Sequence, residues 1–304
     1  MTSQTENPDF ASAAMMRLVR HGLALQGIDA PHLATAGAHV ERGAKSALMQ
    51  SVLETHGPGA ILRIGDAVAD LPPQPLAQAL LLADTVHDLM ARWHRVERFS
   101  HGSHRVATRA LAAHQVGLSH RSRLAGATPS PAETLLVFGV LTGFAETALG
   151  QPATVSTGSG AVWRRDGRWT ERAGHGAPEP VALTCMPRPA RDPDPKPQTD
   201  RIDSLRVELA QDPVKRWKID DVARNAGLSV RSLQRMLASR SLSFSALIAE
   251  TRLETAGRYL CDKDGPGLTE IGFLSGYSDQ AHFTRAFKKS VGTTPAAFRA
   301  DFHR

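Results

Sequence analysis

Two stretches in the last third of the chain carry residues able to read the edge of a nucleic-acid base. In residues 219–238, Arg231, Gln234 and Arg235 share one face of a helical run, because positions three and four apart lie on the same side. In residues 268–289, Gln280, His282, Arg285, Lys288 and Lys289 make a second polar face. Arginine pairs with guanine O6 and N7, and glutamine with adenine N6 and N7. Lys215, Lys218, Lys288 and Lys289 suit phosphate oxygens, which hold register without carrying sequence information.

Such side chains need elements that present them. Ala223 and Gly227 are four apart, as are Gly272 and Gly276. A helix pair joined by a sharp turn needs a small residue where the second helix crosses the first, and a turn residue tolerant of positive φ. Ser229 and Ser278 are expected to cap the second helix of each pair. Val222, Leu228, Leu233 and Leu237 form one apolar seam, and Ile271, Phe273, Tyr277, Phe283 and Phe287 the other. The second turn is one residue longer. Between the pairs, residues 244–260 read as an unbroken helix roughly 25 Å long, a spacer suited to two recognition helices about one DNA turn, ~34 Å, apart.

Residues 202–300 resemble the DNA-binding domain of the AraC/XylS-type bacterial transcription regulators. The resemblance rests on V-A-R-N-A-G-L-S-V-R-S-L-Q-R from Val222, R-L-E-T-A from Arg252, T-E-I-G-F-L-S-G-Y-S-D-Q-A-H-F-T-R-A-F-K-K from Thr269 and G-T-T-P-A-A-F-R from Gly292. It implies a seven-helix domain with two recognition helices in adjacent major grooves. By position, Arg231, Gln234 and Arg235 match the first base-reading face, and Gln280, Ala281 and Arg285 the second. Ser241 stands where the family usually has a turn glycine, and Ala281 where a longer polar side chain is common. The resemblance further implies promoter DNA and RNA polymerase as partners, a tendency to activate, and an N-terminal part that senses a ligand, oligomerises, or both.

Charge agrees with this division. The 304 residues hold 36 Lys+Arg against 30 Asp+Glu, net +6. Residues 201–304 alone hold 17 against 12, so the excess sits in the last third. Pro187, Pro189, Pro193, Pro195 and Pro197 crowd one segment and favour a stiff extended spacer. The expected organisation is therefore an α+β sensor or oligomerisation domain over 10–186, a Pro-rich linker over 187–200, and an all-α domain with two helix-turn-helix units over 201–304. In the first domain, residues 11–28, 45–54, 58–69, 75–99 and 131–149 read as helices. Residues 105–119, 155–170 and 181–185 read as strands, with a hairpin turn at Arg165-Asp166-Gly167-Arg168. The long helices argue against a cupin-type sugar-binding barrel; the pattern is closer to the mixed α/β sensors of another branch of the family.

His94, His101, His104, His114 and His120 lie within 27 positions, yet no cysteine stands nearby to complete a metal site. Ser156-Thr-Gly-Ser-Gly160 lacks a phosphate-loop lysine and reads as a loop between strands, and a Ser159, His175, Asp166 triad has nothing to fix its geometry. No enzyme, cofactor or metal is expected. Two cysteines suit a reducing cytosol, the polar start does not read as a secretory signal, and no apolar run is long enough to span a bilayer. The expected protein is a cytoplasmic regulator binding double-stranded promoter DNA, with a small-molecule effector and a homodimer as further partners. The alternative is a first domain that only oligomerises, in a constitutive regulator or a repressor.

Overall fold

The computed structural model describes residues 10–31, 35–36, 39–71, 75–97, 104–123, 126–175, 180–187 and 201–303. The proline-rich spacer lies outside the described residues from position 188 on, as do His101 and residues 1–9.

The first part is α+β. Strands β1 (Phe10–Ser12), β2 (Thr35–Ala36) and β3 (His39–Glu41) form a small antiparallel sheet in the order β1-β3-β2, with α1 (Ala13–Ala24) following β1. Helices α2 (Arg42–His56) and α3 (Pro58–Leu62) lead into a 3-10 segment, Arg63–Asp70. Then come α4 (Pro75–Leu81), α5 (Val86–Val96), the hairpin β4 (His104–Ala112) and β5 (Gln115–Ser122), and α6 (Pro131–Leu149). Strands β6 (Thr154–Thr157), β7 (Val162–Arg165), β8 (Arg168–Trp169) and β9 (Val181–Thr184) complete an antiparallel sheet of order β4-β5-β9-β6-β7-β8.

The helix expected over 75–99 is two helices. Thr85 ends the first run: its Oγ1 accepts the Asp88 N–H at 3.0 Å, while the Asp88 carboxylate accepts the Asp84 N–H at 3.3 Å. This T-x-x-D cap, with Asp88 reaching back one residue beyond Thr85, starts α5 afresh although the apolar stripe continues across the break. Helix α6 matches the expected span. Ser130 caps it, and Gly150 closes it in the left-handed region at φ 61. It has the length and apolarity of a membrane span, but it is buried from Ala132 to Ala145 as the central core helix. A helix that is apolar all round needs cover on every side. Here the sheet, α2, α3 and the 3-10 segment give it. Arg164, 3% exposed, clamps this layer by a bidentate pair with Glu146 (2.8 and 2.6 Å) and a bond to Asp66 (2.9 Å). The turn Arg165-Asp166-Gly167-Arg168 joins β7 to β8 with Asp166 and Gly167 at φ 51 and 73, the two positive values of a tight hairpin turn.

The second part holds seven helices among the described residues: α7 (Arg201–Gln211), α8 (Ile219–Asn225), α9 (Val230–Ala238), α10 (Phe244–Cys261), α11 (Leu268–Leu274), α12 (Gln280–Val291) and α13 (Pro295–Phe302). Its apolar residues do not form one core. Ile202, Leu205, Val222, Leu233, Leu237 and Leu247 make one cluster. Leu260, Ile271, Phe283, Phe287 and Phe298 instead belong to the cluster that runs through α6 and α5 of the first part. The division between cores thus falls within α10. There α4 packs so closely that a Cβ on Gly257 would meet Pro75 Cα at 2.9 Å. Arg92 and Arg95 of α5 lie 5.8 and 5.5 Å from the Phe302 ring centroid on α13.

Candidate nucleic-acid interface

Each expected turn is present and built from its glycine. Gly227 has φ 65 and Gly276 φ 83, the left-handed region a side chain rarely adopts. Leu228 N–H then reaches back to Ala223 O (2.8 Å), and Tyr277 N–H to Gly272 O (3.0 Å), so the small residue four positions earlier anchors each turn. A Cβ on Gly272 would press on Phe283 at 3.2 Å, the close helix crossing that the small residue allows. Ser241 also takes a positive φ, 53, at the position where the family usually has glycine.

The caps divide. Ser229 caps α9 as expected, accepting the Ser232 N–H at 3.1 Å. Ser278 does not cap α12; Asp279 does, accepting the His282 N–H at 2.7 Å, with the Ser278 hydroxyl donating to its other oxygen at 3.1 Å. A carboxylate is the stronger acceptor and faces the positive helix end. The two hydrogen bonds, that of the His282 amide first, hold the Asp279 carboxyl below its ordinary range. With the cap at Asp279, cap and arginine stand six residues apart in both units, Ser229 to Arg235 and Asp279 to Arg285.

Both polar faces are solvated. Arg231, Gln234 and Arg235 on α9 are exposed, as are Gln280, Ala281, His282, Arg285, Lys288 and Lys289 on α12. Opposite them, Leu233, Leu237, Phe283 and Phe287 are buried. The seam expected at Phe273 is corrected: that ring is 61% exposed, because two positions past buried Ile271 it points away from the packed side of α11. Gln280 is partly committed, its Oε1 accepting from Thr269 at 2.8 Å, which leaves its amide N–H groups to donate. Lys215 and Lys218 are exposed beside the start of α8, and the Lys215 ammonium sits 3.9 Å from the Trp217 ring centroid. These faces offer guanidinium, amide and ammonium donors to solvent, held by capped helices.

Of the five clustered histidines, His94, His104 and His120 make structural contacts. His94 bonds the Val106 carbonyl at 3.0 Å. His104 and Lys45 flank the buried Glu133 at 3.6 and 3.5 Å, and His120 bonds the Thr134 hydroxyl at 3.1 Å. The Ser156–Gly160 run is the last two residues of β6 and the turn that leads to β7, closed by Thr157 N–H to Ala161 O at 2.9 Å. Reading Tyr277 only as seam missed its hydroxyl. A buried tyrosine brings a polar end that needs a partner, and among the described residues that atom has none.

A family model described as "Helix-turn-helix domain" matches residues 222–301. PqrA of Proteus vulgaris, named a probable transcription factor, is 39% identical over 83 residues, 27% of this chain and 67% of PqrA. The HTH-type transcriptional activator FapR of Escherichia coli is 30% identical over 100 residues, 33% of this chain and 37% of FapR. Alignments to other activators similar to this chain span 25% to 37% of their length. Among solved structures, the transcriptional regulator CdpR from Pseudomonas aeruginosa aligns over 94% of this chain and 98% of its own, at 19% identity and a TM-score of 0.33.

Proposed function

The chain belongs to the AraC/XylS-type family of bacterial transcription regulators, and from that premise we propose that it activates transcription in response to a small-molecule effector. Residues 201–304 are the DNA-binding domain and residues 10–186 the sensor, joined through the proline-rich spacer. Arg231, Gln234 and Arg235 read bases in one major groove; Gln280, His282 and Arg285 read the next. Ser229, through its cap, sets the first helix. Lys288 and Lys289, with Lys215 and Lys218, meet phosphates. The observation that carries this reading is the repetition: two glycine-turned, capped helices, each exposing an arginine six residues past its cap. Ala281 puts a methyl group where a longer polar side chain is common, so α9 supplies the larger share of direct readout. Double-stranded promoter DNA and RNA polymerase are the macromolecular partners, in the cytoplasm, with the homodimer as assembly.

The test is to select DNA from a random duplex library with the full chain, then titrate the enriched sequence against a scrambled one at several salt concentrations. Enrichment of a defined sequence, bound at least about a thousandfold more tightly than the scramble, supports the reading. No enrichment, or equal affinity for both, overturns it.

A further inference from the structure

The six-stranded sheet of the first part has two unlike faces. Val106, Leu118, Val155 and Leu183 point into the core shared with α5 and α6. Alternate residues point the other way. No residue in the six strands is Asp or Glu, whereas Arg105, Arg109, Arg121, Arg164, Arg165 and Arg168 all lie in them. Arg164 is committed to Glu146 and Asp66 on the core side, and Arg105 lies 3.8 Å from Glu97. Arg165 and Arg168 share their turn with Asp166. Arg109 on β4 and Arg121 on β5 are exposed, and no carboxylate among the described residues pairs with either.

These two guanidinium groups line a shallow groove of about 390 Å³ on the outer face. Short side chains floor it, with Ala107, Gly117, Ser119 and Ala182 among them. Arg121 stands opposite Arg105, and Arg109 opposite Gly117, so the two are four residues out of step on neighbouring strands. At ~3.4 Å per residue and ~4.8 Å between strands, their Cα atoms are roughly 14 Å apart. That spacing suits an extended polyanion rather than one small anion. A DNA duplex carries one charge per about 1.7 Å of its axis. The groove offers no aromatic ring on which single-stranded bases could stack. Of its lining, Leu111 is the one large apolar residue that is exposed, a poor anchor for a protein partner. A second copy docked face to face would set arginine against arginine.

We infer that this sheet face is a second DNA surface, which holds the phosphates of duplex flanking the segment read by α9 and α12. The inference rests on the DNA-binding reading above and adds a contact from the first part of the chain, independent of base sequence because it reaches only the backbone. It makes affinity depend on how far the duplex extends beyond the read segment. It also couples the first part to DNA: a change in the sheet alters promoter affinity without any movement of α9 or α12.

The test uses the full chain and two duplexes, the selected sequence alone and the same sequence with long flanks of unrelated sequence. The wild-type chain is expected to bind the flanked duplex at least fivefold more tightly, with a salt slope steeper by about one to two. A chain carrying both Arg109→Gln and Arg121→Gln is expected to lose that gain while binding the short duplex as wild type does, which also shows that it is folded. Arg63→Gln removes an exposed charge from the 3-10 segment, on the far side of α6, and is expected to keep the gain. No gain from flanks in wild type, a gain that survives in the double variant, or an equal loss in Arg63→Gln overturns the proposal. Retention of wild type but not the double variant on poly-glutamate, with equal duplex affinities, gives the face to an acidic protein and overturns it too. If the chain selects no sequence, the regulatory reading falls, and a scrambled long duplex tests the sheet alone: weaker binding by the double variant upholds the surface, and equal binding overturns it.

Discussion

On the proposed reading, sequence discrimination turns on Arg235 and Arg285. Each is exposed on a helix whose opposite side is packed, so alanine there removes a contact and leaves the core intact. Arg235→Ala and Arg285→Ala should each cost about 1–3 kcal/mol against the selected sequence and much less against a scramble; competition titrations measure the ratio. Lys288→Ala should weaken both sequences alike and flatten the salt slope. Asp279 fixes where Arg285 stands. Its carboxyl is held below the unfolded value, so its stabilisation is present above the ordinary carboxylate range and is lost as pH falls through the lowered one. Asp279→Ala should therefore lower the thermal midpoint at neutral pH, by a margin that shrinks on acidification. Glu97 has the opposite sign. Burial pushes it up to about 7 from 4.5, against the Val106 N–H bonded to it at 2.8 Å. Its folded form holds the proton longer than the unfolded chain, so wild-type stability falls as pH rises from about 4.5 to about 7. Glu97→Gln should remove that fall, which thermal melts across the range would show; an unchanged slope would exclude Glu97 as its source.

At the scale of elements, local signals carried the sequence reading and long-range ones escaped it. The glycine turns, the Ser229 cap and the spans of α6 and α10 are set by neighbours within a few residues, and each was legible. The break at Thr85 was legible in principle, because T-x-x-D is a cap, but the apolar spacing from Leu76 to Trp93 continues through it and hides it. The cap of α12 falls at Asp279, one residue later than the serine pattern places it. The packing of α4 on α10 had no sequence signal, since Pro75 and Gly257 are 182 positions apart. That contact makes Gly257 informative. Alanine in a helix interior usually gains about 1 kcal/mol over glycine, but here its Cβ meets Pro75 backbone at 2.9 Å. Gly257→Ala should lower the full-length melting temperature, and a rise would show that α4 yields readily. Thr85→Ala should cost about 1 kcal/mol by loss of the cap, read from denaturant midpoints at constant slope.

For the molecule as a whole, the core boundary within α10 matters more than the proline-rich stretch read from the sequence. The second helix-turn-helix unit shares its apolar cluster with the first part of the chain, while the first unit has its own. Composition could not show this, because continuity of a core depends on which faces meet. An effector acting on the first part would reach α12 through packed side chains and α9 only across the α10 seam. On the proposed reading, α9 and α12 enter adjacent major grooves on one face of the duplex. Methylation interference on the sequence selected by the full chain tests it most directly. Two clusters of major-groove guanine contacts about 10 base pairs apart are expected, with Arg235→Ala erasing one and Arg285→Ala the other. A lone cluster, or two that both variants weaken equally, would contradict it.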